Sequence, residues 1–241
     1  MRILITNDDG INSDGIIRLA HVAKEFGEVW VVAPETQRSA ASHSITLHDT
    51  IDVYPCEEFP VEGVKAYSCS GTPGDCVRVG GLNVMENKPD LVLSGINYGY
   101  NCASDIQYSA TCGAAFEASF QGYHAIAFSE GACDCHEVTD KYLREILRKL
   151  IDIPLNPGFI HNVNFPGCPL GECKGLLFDR SVSRGMFYKD TYDVVEHLSN
   201  DGVRYMVNGE YNEENEPGTD FRAITEKYVS IGVVNNVGYL L

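Results

Sequence analysis

The N-terminal stretch Arg2-Ile3-Leu4-Ile5-Thr6-Asn7-Asp8-Asp9-Gly10 is an apolar run that stops abruptly at an amide and two adjacent carboxylates. A strand apolar at successive positions, rather than at alternate ones, is buried on both faces, as in a parallel sheet covered by helices. A helical pattern follows. Ile16, Leu19, Ala20 and Ala23 recur at helical spacing, Ser13 or Asp14 can cap the start, and Gly27 marks the end. Val29-Trp30-Val31-Val32-Ala33 is a second apolar strand, stopped at Pro34. Strand, helix and strand in this order make the βαβ unit of an α/β fold. Its polar loops lie at the strand C-termini, where open sheets of this kind bind ligands.

The pattern continues outward. Residues 66–70 and 90–94 read as strands, the second of them central, and Ile45, Leu47, Ile51 and Val53 alternate as in a hairpin. Thr72-Pro73-Gly74-Asp75 has the residues of a helix start: N-cap, proline, and an acid at the third position. A helix over residues 109–121 carries Ala114, Ala115 and Ala118 on one face, small enough to pack closely on a sheet. Residues 125–128 form the next strand, Leu143, Ile146, Leu147 and Leu150 mark another helix, and residues 159–163 a further strand. Beyond Gly175 the chain reads as short β-segments, and the acidic stretch 209–218 has the composition of a hairpin tip or mobile loop. The expected organisation is an α/β, Rossmann-like, mostly parallel sheet flanked by helices over residues 1–175. Residues 176–241 form a β-rich C-terminal arm of the same domain.

Thirty-four acidic residues against eighteen basic ones leave a formal charge of −16. Such a surface repels a phosphate backbone, so no nucleic-acid polymer is expected as a partner. If the substrate is a phosphate ester, the attraction has to be local: a bound cation, backbone N–H groups and at most an Arg. No apolar segment is long enough to span a membrane, and the first residues read as a strand rather than a signal peptide. The nine cysteines are scattered, without C-x-x-C pairs or a zinc-finger histidine spacing. This usage fits a reducing compartment, and a cytoplasmic location is expected.

Three strands end in polar sequence: Asn7-Asp8-Asp9-Gly10 after the first, Arg38-Ser39 beyond the second, and Ser94-Gly95-Ile96-Asn97 at the central one. Each alone has an ordinary reading, as a turn, a loop hydroxyl or a cap. Brought to one crevice, they offer two carboxylates, a hydroxyl and an amide, hard oxygen donors suited to Mg²⁺, Mn²⁺ or Ca²⁺ rather than zinc. Tyr108-Ser109-Ala110-Thr111 precedes the alanine-faced helix, where hydroxyls and unpaired N–H groups make a phosphate cradle. Simple N-capping by Ser109 accounts for one of those hydroxyls and leaves Thr111 over. Gly95, Gly99 and Asn101 lie in the preceding loop, where the backbone can approach a ligand closely.

Familiar alternatives fail on spacing. No G-x-x-x-x-G-K-[ST] or G-x-S-x-G is present, and no G-x-G-x-x-G follows the first strand. In a haloacid-dehalogenase-type phosphatase the nucleophilic Asp would stand at Asn7, which forms no acyl phosphate. Adjacent aspartates are also badly placed to flank a glycosidic bond.

The motifs together resemble those of the SurE (survival protein) nucleotidases. The similarity lies in residues 2–11, in Val-Val-Ala-Pro ending at Pro34, in Arg38-Ser39-Ala40-Ala41-Ser42, in Gly71-Thr72-Pro73 and in Ser94-Gly95-Ile96-Asn97. It continues through Gly99, Asn101, Asp105, Tyr108-Ser109, Asn162-Val163-Asn164-Phe165-Pro166 and Gly218-Thr219-Asp220-Phe221, and so spans nearly the whole chain. The resemblance implies a divalent-metal-dependent phosphomonoesterase acting on nucleoside 5′- and 3′-monophosphates. Asp8, Asp9, Ser39 and Asn97 would be the metal ligands, with Asp8, Asp9 and Asn97 catalytic. Asn101, Ser109 and Thr111 would hold the phosphate. One divalent ion is implied, Mg²⁺ or Mn²⁺ before Ca²⁺, and a homodimer or homotetramer joined through the C-terminal arm.

The chain departs from the family pattern at Ala40, Ala103 and Ala110, where glycine is usual, at Ser104, where Asp is common, and at His43, where Asn is common. The expected mechanism is in-line attack by a metal-activated water without a phosphoenzyme. His43 is a candidate acid for the leaving oxygen, with a loop histidine as the plainer reading. Two other readings stay open: an exopolyphosphatase or other phosphomonoesterase on the same fold, and a non-catalytic metal and nucleotide sensor.

Overall fold

The apolar first strand, β1 (Arg2–Thr6), takes the interior position its sequence calls for, pairing in parallel with β2 (Glu28–Pro34) on one side and β5 (Leu91–Tyr98) on the other. The structure, a computed structural model, describes residues 1–212 and 215–236. Beyond β2 lie β4 (Lys65–Cys69), parallel to it, and the short edge strand β3 (Val53–Pro55), antiparallel. Beyond β5 lie β6 (His124–Glu130) and β7 (Phe159–Phe165), both parallel. The chain thus builds outward from β1 in one direction and then returns to build from β5 in the other. The loops after β1 and β5 diverge at that reversal, and a crevice opens between them.

Helices cover both faces, as the expected mostly parallel sheet requires. Helix α1 (Asp14–Ala23) buries Ile16, Leu19, Ala20 and Ala23, the stripe predicted from its spacing. With α4 (Glu137–Ile151), which buries Leu143, Ile146, Leu147 and Leu150, it packs on Ile3, Ile5, Val29, Val31, Leu91 and Leu93. Alternate strand residues point the other way. Leu4, Val32 and Val92 pack on α2 (Pro73–Val79) and α3 (Ala110–Phe120), the latter through Ala114, Ala115 and Ala118. Each fully buried Ile, Leu or Val contributes about 1.5–3 kcal/mol relative to exposure. The start of α2 is a reciprocal cap: Thr72 Oγ1 accepts from the Asp75 N–H, and the Thr72 N–H donates to Asp75 Oδ2.

The hairpin expected through Ile45, Leu47, Ile51 and Val53 does not form; only Val53–Pro55 is a strand. The cause is competition for backbone groups. Thr46 donates its N–H and its hydroxyl to Asp75, and the Ser44 carbonyl accepts from the Thr72 hydroxyl, so this segment is tied to the α2 cap.

Residue 175 does not end the sheet. β8 (Leu176–Arg180) and β11 (Val229–Asn235) extend it, β11 antiparallel to β7 and parallel to β8. Among the described residues the main sheet therefore has nine strands. What projects is a two-stranded hairpin of β9 (Tyr188–His197) and β10 (Val203–Tyr211), followed by α5 (Asp220–Thr225). The hairpin tip falls at residues 198–202 rather than within 209–218. Asn200 and Asp201 have left-handed φ of 58° and 59° there, and Leu198 N–H donates to the Gly202 carbonyl. Gly209, Glu210 and Tyr211 are strand residues, while Glu213 and Glu214 of that stretch lie outside the described residues. No helix among the described residues is long and apolar enough to cross a membrane.

Candidate active site

The site is built where β1 and β5 part. Asn7 folds the loop after β1, its side chain donating to the Gly10 carbonyl and the Ser13 hydroxyl and accepting from the Gly10 N–H. This turn aims Asp8 inward, 4% exposed. The Arg38 N–H donates to the Asp8 carbonyl at 2.7 Å, which brings the second loop, with Ser39, against the first. Thr111, in the first turn of α3, donates its hydroxyl to the Asp8 carboxylate. Asp9 accepts from the Tyr98 N–H at 3.0 Å and from Gln37 Nε2 at 3.4 Å, and Gln37 also donates to Ser39 Oγ at 2.9 Å. Asn97 Nδ2 donates to the Gly99 carbonyl at 2.8 Å, an orientation that frees its carbonyl oxygen. Gly95 lets β5 run close to β6: at φ +132°, a Cβ there would sit 2.3 Å from the Phe128 carbonyl oxygen.

Asp8, Ser39, Asn97, Asn101 and Ser109 all open on one cleft of about 580 Å³. Asp9 faces an adjoining depression of about 330 Å³, and Tyr98 forms a wall of both. Thr111 is fully buried behind Asp8 and does not reach the cleft, so its hydroxyl positions a carboxylate where the resemblance implies a phosphate contact. His43 is likewise elsewhere: its Nε2 pairs with Glu117 at 2.8 Å and its ring stacks on Phe120, the structural alternative to an acid role.

Electrostatics set the site's need. Burial pushes Asp8 up to about 7, against the hydrogen bond from Thr111 and with help from the charge of Asp9. Burial raises Asp9 too, opposed by the Tyr98 and Gln37 hydrogen bonds. No Lys, Arg or His among the described residues lines the Asp8 cleft. Asp8, in a cleft without a basic side chain and with Asp9 beside it, fits a divalent cation, and the side chains of Asp8, Ser39 and Asn97 offer oxygen donors to it. No three His, Cys, Asp or Glu side chains converge as a metal cluster among the described residues, so a cation held here would also draw on neutral oxygens such as those of Ser39 and Asn97.

The N-terminus of α3 borders the same cleft through Ser109. Ser109 Oγ accepts from the Cys112 N–H and the Ser109 carbonyl accepts from the Gly113 N–H. The N–H groups of Ala110 and Thr111 have no helical acceptor, but both residues are fully buried, so Ser109 is where this turn opens on the cleft. Asn101 is locked by β7: its N–H donates to Asn164 Oδ1, its carbonyl accepts from Asn162 and Asn164, and its Nδ2 donates to Ser129. Asn162, Asn164 and Ser129 thus serve the site without having been singled out as site residues. The signal was legible, since polar residues at alternate positions of an interior strand point to one polar task. Asp220 is another such residue. Its buried carboxylate accepts from the Ala103 and Ser183 N–H groups, joining the cleft loop to the base of the hairpin. Tyr188, Asp190 and Tyr192 of β9 complete the cleft wall.

The departures from glycine acquire a backbone meaning. Ala40 and Ala103 have φ of 57° and 52°, in the left-handed region where a Cβ costs about 1–2 kcal/mol. Ala110 is an ordinary helical residue.

Comparisons with known proteins bear on the family and the fold. The family model for survival protein SurE matches residues 3–186. The protein of Thermosipho melanesiensis called 5′-nucleotidase SurE is 38% identical over 239 residues, covering 96% of this chain and 90% of that one. That of Rhodospirillum rubrum, with the same name, is 36% identical over 95% of this chain and 88% of its own. The crystal structure of the SurE protein from Aquifex aeolicus superposes with a TM-score of 0.80 at 31% identity, covering 98% of this chain and 93% of that one.

If Thr111 positions Asp8, the isosteric change Thr111→Val leaves a buried carboxylate short of a donor and costs about 1–3 kcal/mol. Urea unfolding without divalent ions should show that loss, and Mn²⁺ affinity should fall, while KM at saturating metal changes by no more than about threefold. A raised KM with unaltered Mn²⁺ affinity would instead make Thr111 a phosphate contact.

Proposed function

The chain belongs to the SurE family and is a 5′-nucleotidase; from that premise we propose that it is a divalent-metal-dependent phosphomonoesterase, hydrolysing nucleoside 5′- and 3′-monophosphates with water as nucleophile. The observation that carries this reading is the buried Asp8 carboxylate, which adjoins the N-terminus of α3 and shares with Ser109 a cleft that has no cationic side chain among the described residues. Asp8, Asp9, Ser39 and Asn97 would hold one Mg²⁺ or Mn²⁺, and the same oxygens suit Ca²⁺. When bound, the ion supplies positive charge to the ester oxygens and makes a water more acidic.

The remaining work falls to the chain. Asp8 or Asp9 accepts the proton of the attacking water. Ser109 donates its hydroxyl to an equatorial oxygen, where charge develops as the P–O ester bond breaks, and the leaving oxygen departs as the nucleoside hydroxyl after taking a proton from solvent. Asn101, fixed by Asn162 and Asn164, holds the ester against the cleft floor. A thiol phosphoenzyme is disfavoured, because burial pushes Cys112 up to about 12 and Cys102 well above its ordinary value. The nine cysteines suit a cytoplasmic location.

We also propose a homo-oligomer joined through the hairpin. Beyond the cleft wall, strand pairing puts Val194 of β9 on one face with Tyr205 and Val207 of β10, all of them exposed. A two-stranded hairpin with such a face is marginal in water by itself. By light scattering, Val194→Glu with Val207→Glu should reduce the particle to a single chain of 26.5 kDa. A wild type already at that mass would end this reading.

The catalytic reading is tested by phosphate release from a panel of nucleoside monophosphates with Mg²⁺, Mn²⁺ or excess chelator. Release should require the ion and fall by about a hundredfold or more in Asp8→Asn. Release that persists in chelator would refute metal dependence, and no release from any monophosphate by folded protein would refute the phosphatase.

A further inference from the structure

One part of the cleft lining is not explained by phosphate chemistry. It is made by Asp105 from the loop before α3 and by Tyr188, Asp190 and Tyr192 from β9. The two-residue period of a strand puts Tyr188, Asp190 and Tyr192 on one face, with Asp190 between the two rings. The wall is anchored rather than draped. Phe187 packs against Tyr100, Phe221 and Tyr188, and Tyr188 stacks on Tyr211 across the hairpin. The Asp220 carboxylate ties the N–H of Ala103, two residues before Asp105, to that of Ser183 at the foot of β9.

Carboxylates only accept hydrogen bonds, so an acidic wall is a poor surface for phosphate and a good one for hydroxyl or amine donors. Tyrosine rings add flat apolar faces on which a heterocycle can stack. Building on the phosphomonoesterase reading above, we propose that Asp105 and Asp190, flanked by Tyr188 and Tyr192, form the specificity wall of the cleft. It takes the hydroxyl- and amine-bearing nucleoside of a monophosphate and turns away substrates with further phosphates, inorganic polyphosphate above all. An extended phosphate chain seated at the α3 N-terminus would have to run its remaining charges toward two carboxylates, with no Lys, Arg or His among the described cleft residues to offset them. Discrimination then comes from repulsion of the wrong substrate as well as attraction of the right one. That the two acids sense one another supports the geometry: Asp105 is pushed up to about 6, first by burial, with the charge of Asp190 adding to it against a hydrogen bond from Ser104.

The test compares three substrates at fixed free Mn²⁺: a nucleoside 5′-monophosphate, phenyl phosphate, which lacks hydroxyl donors, and inorganic tripolyphosphate. Asp190 is exposed on the hairpin, so Asp190→Asn and Asp190→Lys should fold, which circular dichroism checks. In Asp190→Asn the ratio of nucleotide to phenyl phosphate kcat/KM should fall about tenfold, the size of one lost charge-assisted hydrogen bond, with the loss in KM rather than kcat. In Asp190→Lys the ratio of tripolyphosphate to nucleotide kcat/KM should rise about tenfold or more. Wild type that is active on phenyl phosphate or the nucleotide, with both ratios unmoved in the variants, would overturn the specificity wall and leave the phosphatase reading intact. Wild type that turns over tripolyphosphate as well as the nucleotide would overturn it too. Wild type inactive on all three would remove the phosphatase reading and this proposal with it.

Discussion

The constraint on which this structure turns is the burial of the Asp8 carboxylate, met among the described residues by the Thr111 hydroxyl and its own backbone N–H and by no cation. Taking an ion out of water costs several kcal/mol unless a partner of opposite charge compensates. Thr111 supplies one hydrogen bond, and the neighbouring Asp9 makes matters worse. A protein that keeps such a carboxylate ionised needs a cation from outside the chain. The oxygens of Ser39 and Asn97 open on the cleft where that cation would sit.

Everything around Asp8 follows from getting three loops that close together. The sheet does this by starting in the middle, so that the C-termini of β1 and β5 separate at the point where the winding reverses. Close approach then demands missing side chains. A Cβ on Gly15 would lie 2.1 Å from the Ile96 carbonyl oxygen, and one on Gly113 would lie 2.5 Å from that of Ser42. The alanines of α3 bring its N-terminus down onto the same edge. Where the chain places alanine at left-handed positions, at Ala40 and Ala103, it accepts strain in the loops that line the cleft.

Much of this could be read before the fold was seen. Continuous apolar strands, the stripe on α1 and the cap at Thr72 are local signals, and each predicted its element. The strand-end rule also placed Asp8, Ser39 and Asn97 together, because topology alone sends those loops to one crevice. What escaped depends on contacts between distant residues. Ile45 to Ile51 looks like a strand, but Asp75 takes the Thr46 N–H and hydroxyl. Thr111 sits at a helix start, where a phosphate ligand is the natural guess, and only the fold shows the Asp8 carboxylate in front of it. The hairpin wall is separated from β5 by some ninety residues of sequence, so Asp190 offers no local sign that it faces the cleft.

Cation binding at Asp8 can be tested without any substrate. Mn²⁺ titrated into the protein, followed by calorimetry or by loss of the free-ion paramagnetic signal, should saturate at one ion per chain. Asp8→Asn, shown by circular dichroism to be folded, should abolish that binding or weaken it by at least about a hundredfold. Binding of equal strength in wild type and Asp8→Asn, or none in the wild type, would contradict the claim that this buried carboxylate is where the metal is held.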